Sequence, residues 1–153
     1  MADTLVEQSC TPCRGGIPPL SIDEAMRYLE QTPAWNLLDD GGQIQRTFWF
    51  ANFGESLGFI RDVGELAEAE RHHPDVAFGW GYATISLRTK KIKGLHHNDF
   101  IMAAKIDRLA MAAGAQDNRG QNRRSGGHPE GAPVTSDTTQ SNDNRGSTLT
   151  HPS

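Results

Sequence analysis

A chain of 153 residues, 36% hydrophobic and 22% charged, has room for one domain and the composition of a water-soluble protein. A net charge of −4 argues against general nucleic-acid binding, and no apolar run approaches the length of a membrane span. Met1–Gln8 lacks the basic start and hydrophobic stretch of an export signal, so the expected location is cytoplasmic, with Cys10 and Cys13 reduced rather than bridged.

Residues 9–20, SCTPCRGGIPPL, form an aperiodic leader expected to lie extended over the domain surface. Cys10 and Cys13 supply only half of a structural zinc site, and no metal is expected. Ser21-Ile22-Asp23-Glu24 has the form of a helix capping box. The helix it opens is predicted to run to about Gln31, to stop before Pro33, and to turn Ala25, Met26 and Leu29 inward. Trp35 and Leu37 alternate, Asp39-Asp40-Gly41-Gly42 makes a turn, and Ile44, Phe48 and Phe50 alternate again, which predicts a β-hairpin. Turn chemistry accounts for the paired aspartates without a metal.

Over 55–71 the period changes: Phe59, Ile60, Val63, Leu66 and Ala67 recur at helical spacing until Pro74. Residues 76–90 alternate as a strand, with Gly79 and Gly81 marking a bend or bulge near its start. Residues 98–113 give the last helix, with Met102, Ile106, Leu109 and Ala113 on one stripe. This order predicts an α+β domain over 20–113, with helices on one face of an antiparallel sheet, after a leader over 1–19. Residues 114–153 hold only Val134 and Leu149 as sizeable apolar side chains, too few to offset the entropy of ordering them, and this tail reads as disordered.

The chemistry-bearing string is E-A-E-R-H-H-P. Glu68 and His72 lie four apart, so on a helix they share a face, and a carboxylate beside an imidazole suits proton transfer. The same spacing also suits a histidine that merely complements a helix C-terminus. Local spacing does not choose between them.

The stretch His72-His73-Pro74, a strand ending Leu87-Arg88-Thr89, Gly94-Leu95, Asp99, and a helix ending Ala104-Lys105-Ile106-Asp107 together resemble the pterin-4a-carbinolamine dehydratases. The leader and the Trp35 hairpin match many bacterial members, and the resemblance covers residues 10 to about 112. It implies a four-stranded antiparallel sheet with about three helices on one face. It also implies a homo-oligomer, at least a dimer, and a hydro-lyase that dehydrates 4a-hydroxytetrahydropterin with histidines as acid and base and with no metal or cofactor. The residues that carry over are His72, His73, Glu68 and Asp99.

One departure stands at the site. Where the family pattern has Thr-His, this chain has Thr89-Lys90. A lysine is ordinarily a cation at neutral pH, whereas imidazole both gives and takes protons. Asp99, whose family role is to hold the missing histidine, is expected to favour the charged lysine, and dehydration is expected to be weak or absent. After Gly-Leu, His96 stands where the family usually has a capping Ser or Thr, so Asn98 is expected to cap the last helix. His96 and His97 lie at the wrong place in sequence to replace the missing histidine.

A branch of the family acts in RuBisCO assembly rather than pterin chemistry. The Cys-x-x-Cys-Arg-Gly-Gly leader, the altered histidine and the polar tail resemble that branch. They imply a non-catalytic or weakly catalytic assembly factor for the RuBisCO large subunit, carboxysome-associated, with 4a-hydroxytetrahydrobiopterin dehydratase as the alternative. Arg88, Lys90, Lys91 and Lys93 concentrate cations in an acidic chain and are the candidate partner-binding residues. No nucleic-acid or membrane partner is expected.

Overall fold

The computed structural model describes residues 4–12 and 14–117. The capping box forms: the Ser21 hydroxyl accepts from the Glu24 N–H at 3.1 Å, and the Glu24 carboxylate accepts from the Ser21 N–H at 2.9 Å. Helix α1 (Ile22–Leu29) buries Ala25 and half-buries Leu29, but Met26 is 53% exposed, against expectation. The helix offers α3 only a narrow seam, and Met26, about 100° around the axis from Ala25, turns to solvent.

Strands β1 (Asn36–Leu38) and β2 (Gln43–Trp49) form the expected hairpin, with Leu37 opposite Ile44. Its turn places Asp39, Asp40 and Gly41 at positive φ, a region that Asp and Gly tolerate better than other residues. Asn52 caps helix α2 (Phe53–Glu70), which buries Phe59, Val63 and Ala67.

The stretch predicted as one strand over 76–90 is instead a second hairpin, β3 (Asp75–Gly79) and β4 (Tyr82–Leu87), with Gly79 opposite Tyr82. The glycines turn the chain rather than bulge it. Gly81 sits at φ +82°, and a Cβ on Gly79 would come within 2.8 Å of the Tyr82 ring. The sheet order is β1-β2-β4-β3, antiparallel throughout, so β3 is an edge strand.

Helix α3 (His97–Ala112) lies at the centre of the core: Phe100, Ile101, Met102 and Ala103 are all buried in succession, followed by Ile106 and Ala110. Ile44 and Phe48 of β2 and Ala83, Ile85 and Leu87 of β4 bury the sheet face that meets the helices. The other face is polar, with a Thr47–Thr84 hydroxyl pair at 2.8 Å and Gln45 donating to Ser86 at 2.9 Å. The fold is α+β, three helices on one face of a four-stranded antiparallel sheet. No helix among the described residues is long and apolar enough to cross a membrane.

Both flanks are tied to this domain. In the leader, Cys10 N–H donates to Glu70 at 2.8 Å, Thr11 N–H to the Asn98 side chain at 3.0 Å, and the Asn98 amide returns to the Thr11 carbonyl at 2.7 Å. Burial, then the Glu70 carboxylate, pushes the Cys10 thiol up to about 12. At the other end Gln116 pairs with Trp49, and Asp117 binds Arg46 at 2.7 Å, so the chain stays on the sheet to residue 117. Arg46 also reaches Asp107 at 2.6 Å, and the buried Trp35 donates to the same oxygen at 2.8 Å. Cys13 and residues 118–153 of the tail expected to be disordered over 114–153 lie outside the described residues.

The β3–β4 turn offers a direct check. A Cβ at Gly81 would meet the Phe50 carbonyl oxygen at 3.2 Å, at a φ that L-residues rarely adopt. Gly81→Ala is expected to lower stability by about 1–2 kcal/mol, read as a lower urea midpoint with an unchanged slope. An unmoved midpoint would contradict the hairpin.

Candidate active site

The last turn of α2 places both histidines. Arg71 caps the helix in the left-handed region, at φ 56°, and both its N–H and that of His72 reach back to the Ala67 carbonyl. A non-glycine residue there carries strain, which the surrounding contacts must hold. Because the helix ends at Glu70, His72 does not continue along the Glu68 face. The expected Glu68–His72 pair is therefore absent: His73 takes Glu68, its Nε2 on Glu68 Oε2, while His72 turns into the protein.

His72 is buried and meets Asp99, itself fully buried, with Nε2 at 2.6 Å from Oδ1. The other Asp99 oxygen accepts from the Thr89 hydroxyl at 2.7 Å and from the His96 N–H at 3.0 Å. A buried carboxylate that accepts on both oxygens assigns the hydrogen to His72 Nε2 and leaves Nδ1 as the nitrogen of that ring free to exchange a proton.

Asp99 therefore holds a histidine, but not from position 90, and it makes no ion pair with Lys90. Thr89 is buried and starts a short 3-10 turn over Lys90–Ile92, clipped by the Thr89–Gly94 bridge, so the next side chain points outward. Lys90 is 73% exposed and reaches only Asp75, at 3.4 Å. Such an exposed pair contributes at most about 1 kcal/mol.

The cap of α3 also differs from expectation. His96, not Asn98, is the cap: its Nδ1 accepts from the Asn98 N–H at 3.0 Å, and Asp99 closes the box. An imidazole nitrogen here does what a Ser or Thr oxygen does elsewhere. His97 stacks on Tyr28 at 5.0 Å, and burial, then the neighbouring His96, holds its imidazole below the ordinary range. Neither ring lines the cavity where His72 and His73 meet.

That cavity, of about 270 Å³ and open to solvent, is lined by Arg71, His72, His73, Arg88, Thr89, Lys90 and Lys91. His73 and Glu68 also border a neighbouring apolar cavity of about 290 Å³, between α2 and Val76. Of the cations singled out from sequence, Arg88, Lys90 and Lys91 reach the cavity, whereas Lys93 is not among its lining residues. Sequence reasoning missed Arg71 and the bridging role of Thr89. The signal for Arg71 was its place between the helix and His72-His73-Pro74. Among the described residues no group of three or more His, Cys, Asp or Glu is placed to hold a metal ion.

The arrangement presents two imidazoles, each with a carboxylate partner, to one cavity, which is the equipment for general acid–base catalysis. Residues 18–109 match the family described as pterin 4 alpha carbinolamine dehydratase. The chain is 58% identical over 110 residues to a putative pterin-4-alpha-carbinolamine dehydratase 1 of Cupriavidus pinatubonensis, spanning 72% of this chain and 95% of that one. A transcriptional coactivator/pterin dehydratase of Brucella melitensis superposes with a TM-score of 0.57 at 27% identity, covering 60% of this chain and 98% of that one. A pterin dehydratase-like protein identified as a RuBisCO assembly factor in the alpha-carboxysome gives a TM-score of 0.45 at 23% identity, over 50% of this chain and 92% of that one. That last likeness is too distant to bear on the role of this chain. The chain belongs to the pterin-4a-carbinolamine dehydratase family.

Proposed function

We propose that this protein is a hydro-lyase that dehydrates 4a-hydroxytetrahydropterin with His72 and His73 as its acid–base pair. The observation that carries this is the pair of carboxylate-held imidazoles, His72 on Asp99 and His73 on Glu68, lining one cavity. In a carbinolamine the hydroxyl and the amine share one carbon. Loss of water breaks the C–O bond, the departing oxygen takes a proton, the nitrogen gives one up, and its electron pair becomes the C=N bond. His72, with Nε2–H committed to Asp99, offers Nδ1 as the base. His73, beside the Glu68 carboxylate, donates to the leaving oxygen.

This reading gives Lys90 no proton to move. Its side chain is 73% exposed, and no step of this reading depends on a third imidazole. The weak activity expected from the lysine rested on a cation standing where the family has a third imidazole, and on Asp99 favouring that cation. Asp99 serves His72 instead, so the second part lapses, and with two carboxylate-held imidazoles still on the cavity the dehydratase reading takes first place.

A second reading is an assembly factor for the RuBisCO large subunit. The exposed Lys90, Lys91 and Lys93 beside Arg88 favour it, because an acidic partner surface would meet complementary charge there.

Two outcomes follow. In an assay of 4a-hydroxytetrahydropterin dehydration, His72→Ala and His73→Ala should each lower kcat/KM by about 100-fold or more, with Lys90→Ala within a few-fold of wild type. No acceleration over the uncatalysed reaction by wild type would overturn the dehydratase reading. Reversal of Lys90, Lys91 and Lys93 to Glu should abolish any gain in soluble RuBisCO on co-expression if the second reading holds; an undiminished gain would defeat it.

A further inference from the structure

We infer that the cavity takes a pterin whose side chain carries an anionic group, phosphate or carboxylate, rather than an uncharged one. This rests on the dehydratase reading and names the substrate class within it. Arg71, Arg88, Lys90 and Lys91 line the cavity together with the two histidines, and no acidic residue lines it. Three carboxylates touch lining residues and each is occupied: Glu68 by His73, Asp75 by Lys90, and the buried Asp99 by His72 and Thr89. Among the described residues no carboxylate lies within ion-pair distance of Arg71, Arg88 or Lys91.

These cations are gathered in a chain of net charge −4. Like charges held around one opening repel, and a bound anion relieves that repulsion. The bicyclic ring of a hydroxytetrahydropterin is uncharged and has no use for such a field. An anionic substituent has. Two of the four cations are arginines, whose planar guanidinium matches phosphate and carboxylate oxygens in pairs. Arg71 is fixed by its left-handed backbone beside His72, and Arg88 is half-buried at the end of β4 beside Thr89. The groups that would hold the side chain therefore adjoin those that would act on the ring.

Equilibrium binding of three stable oxidised probes tests this at low ionic strength: neopterin, neopterin 3′-phosphate and pteroylmonoglutamate. The phosphate and carboxylate arms separate the two sources of charge. At least one anionic probe is expected to bind about tenfold or more tightly than neopterin, since one charge-assisted hydrogen bond is worth that much. The preference should shrink as salt rises. In an Arg88→Gln, Lys91→Gln double variant, with thermal unfolding as the fold control, the affinity ratio should fall toward one. Neopterin binding without any gain for either anionic probe overturns this inference and leaves the dehydratase reading standing. An anionic preference that survives the double variant also overturns it. Failure of all three probes to bind overturns this inference, while the dehydratase reading stands or falls on the dehydration assay.

Discussion

One buried carboxylate organises the working end of this molecule. Asp99 is fully buried and joins three segments: the turn after α2 through His72, the strand end through Thr89, and the start of its own helix through the His96 N–H. A carboxylate out of water is tolerable only when its oxygens are met by donors, and removing one donor costs about 1–3 kcal/mol or more. The turn that carries His72 comes from 27 residues away, so the requirement that Asp99 be satisfied fixes where α2 ends against the start of α3. The cavity is a consequence of that meeting.

The second constraint is the left-handed residue Arg71, at φ 56°. It sends adjacent histidines to different partners: His72 goes inward to Asp99, and His73 stays at the surface beside Glu68. Two imidazoles thus differ in exposure while facing one opening, the asymmetry that the proposed acid and base roles call for. Lys90 falls outside this device. The chain alternates through the strand end, Thr89 claims the inward direction, and the lysine is left at the rim.

Much of the fold was legible in the sequence because its signals are local. Ser21 and Glu24 announce their own helix, Asp39 to Gly42 announces a turn, and the Phe59–Val63–Ala67 spacing announces a buried helical face. The second hairpin was not read, because Gly79 and Gly81 signal either a bulge or a reversal, and only the pairing of Phe78 with Ala83 decides. Met26 was misplaced for a similar reason: periodicity gives a face, not the width of the seam that covers it. At the site, the residue identities were legible but the pairings were not. The i to i+4 rule assigned Glu68 to His72 on the premise that the helix continues, and the helix stops two residues before it. Asp99 was assigned to position 90 by resemblance, and its bond to His72, 27 residues away, is a relation that no spacing encodes.

The central claim is that Asp99 holds His72 by Nε2–H and so leaves the Nδ1 of this cavity-lining ring free. Nitrogen-15 NMR of the histidine side chains at neutral pH tests this most directly. The account predicts the Nε2–H tautomer for His72, with the Nε2 proton protected from solvent exchange and a bare Nδ1. A protonated Nδ1 with a bare Nε2, or an Nε2 proton that exchanges as freely as that of an exposed imidazole, would contradict it.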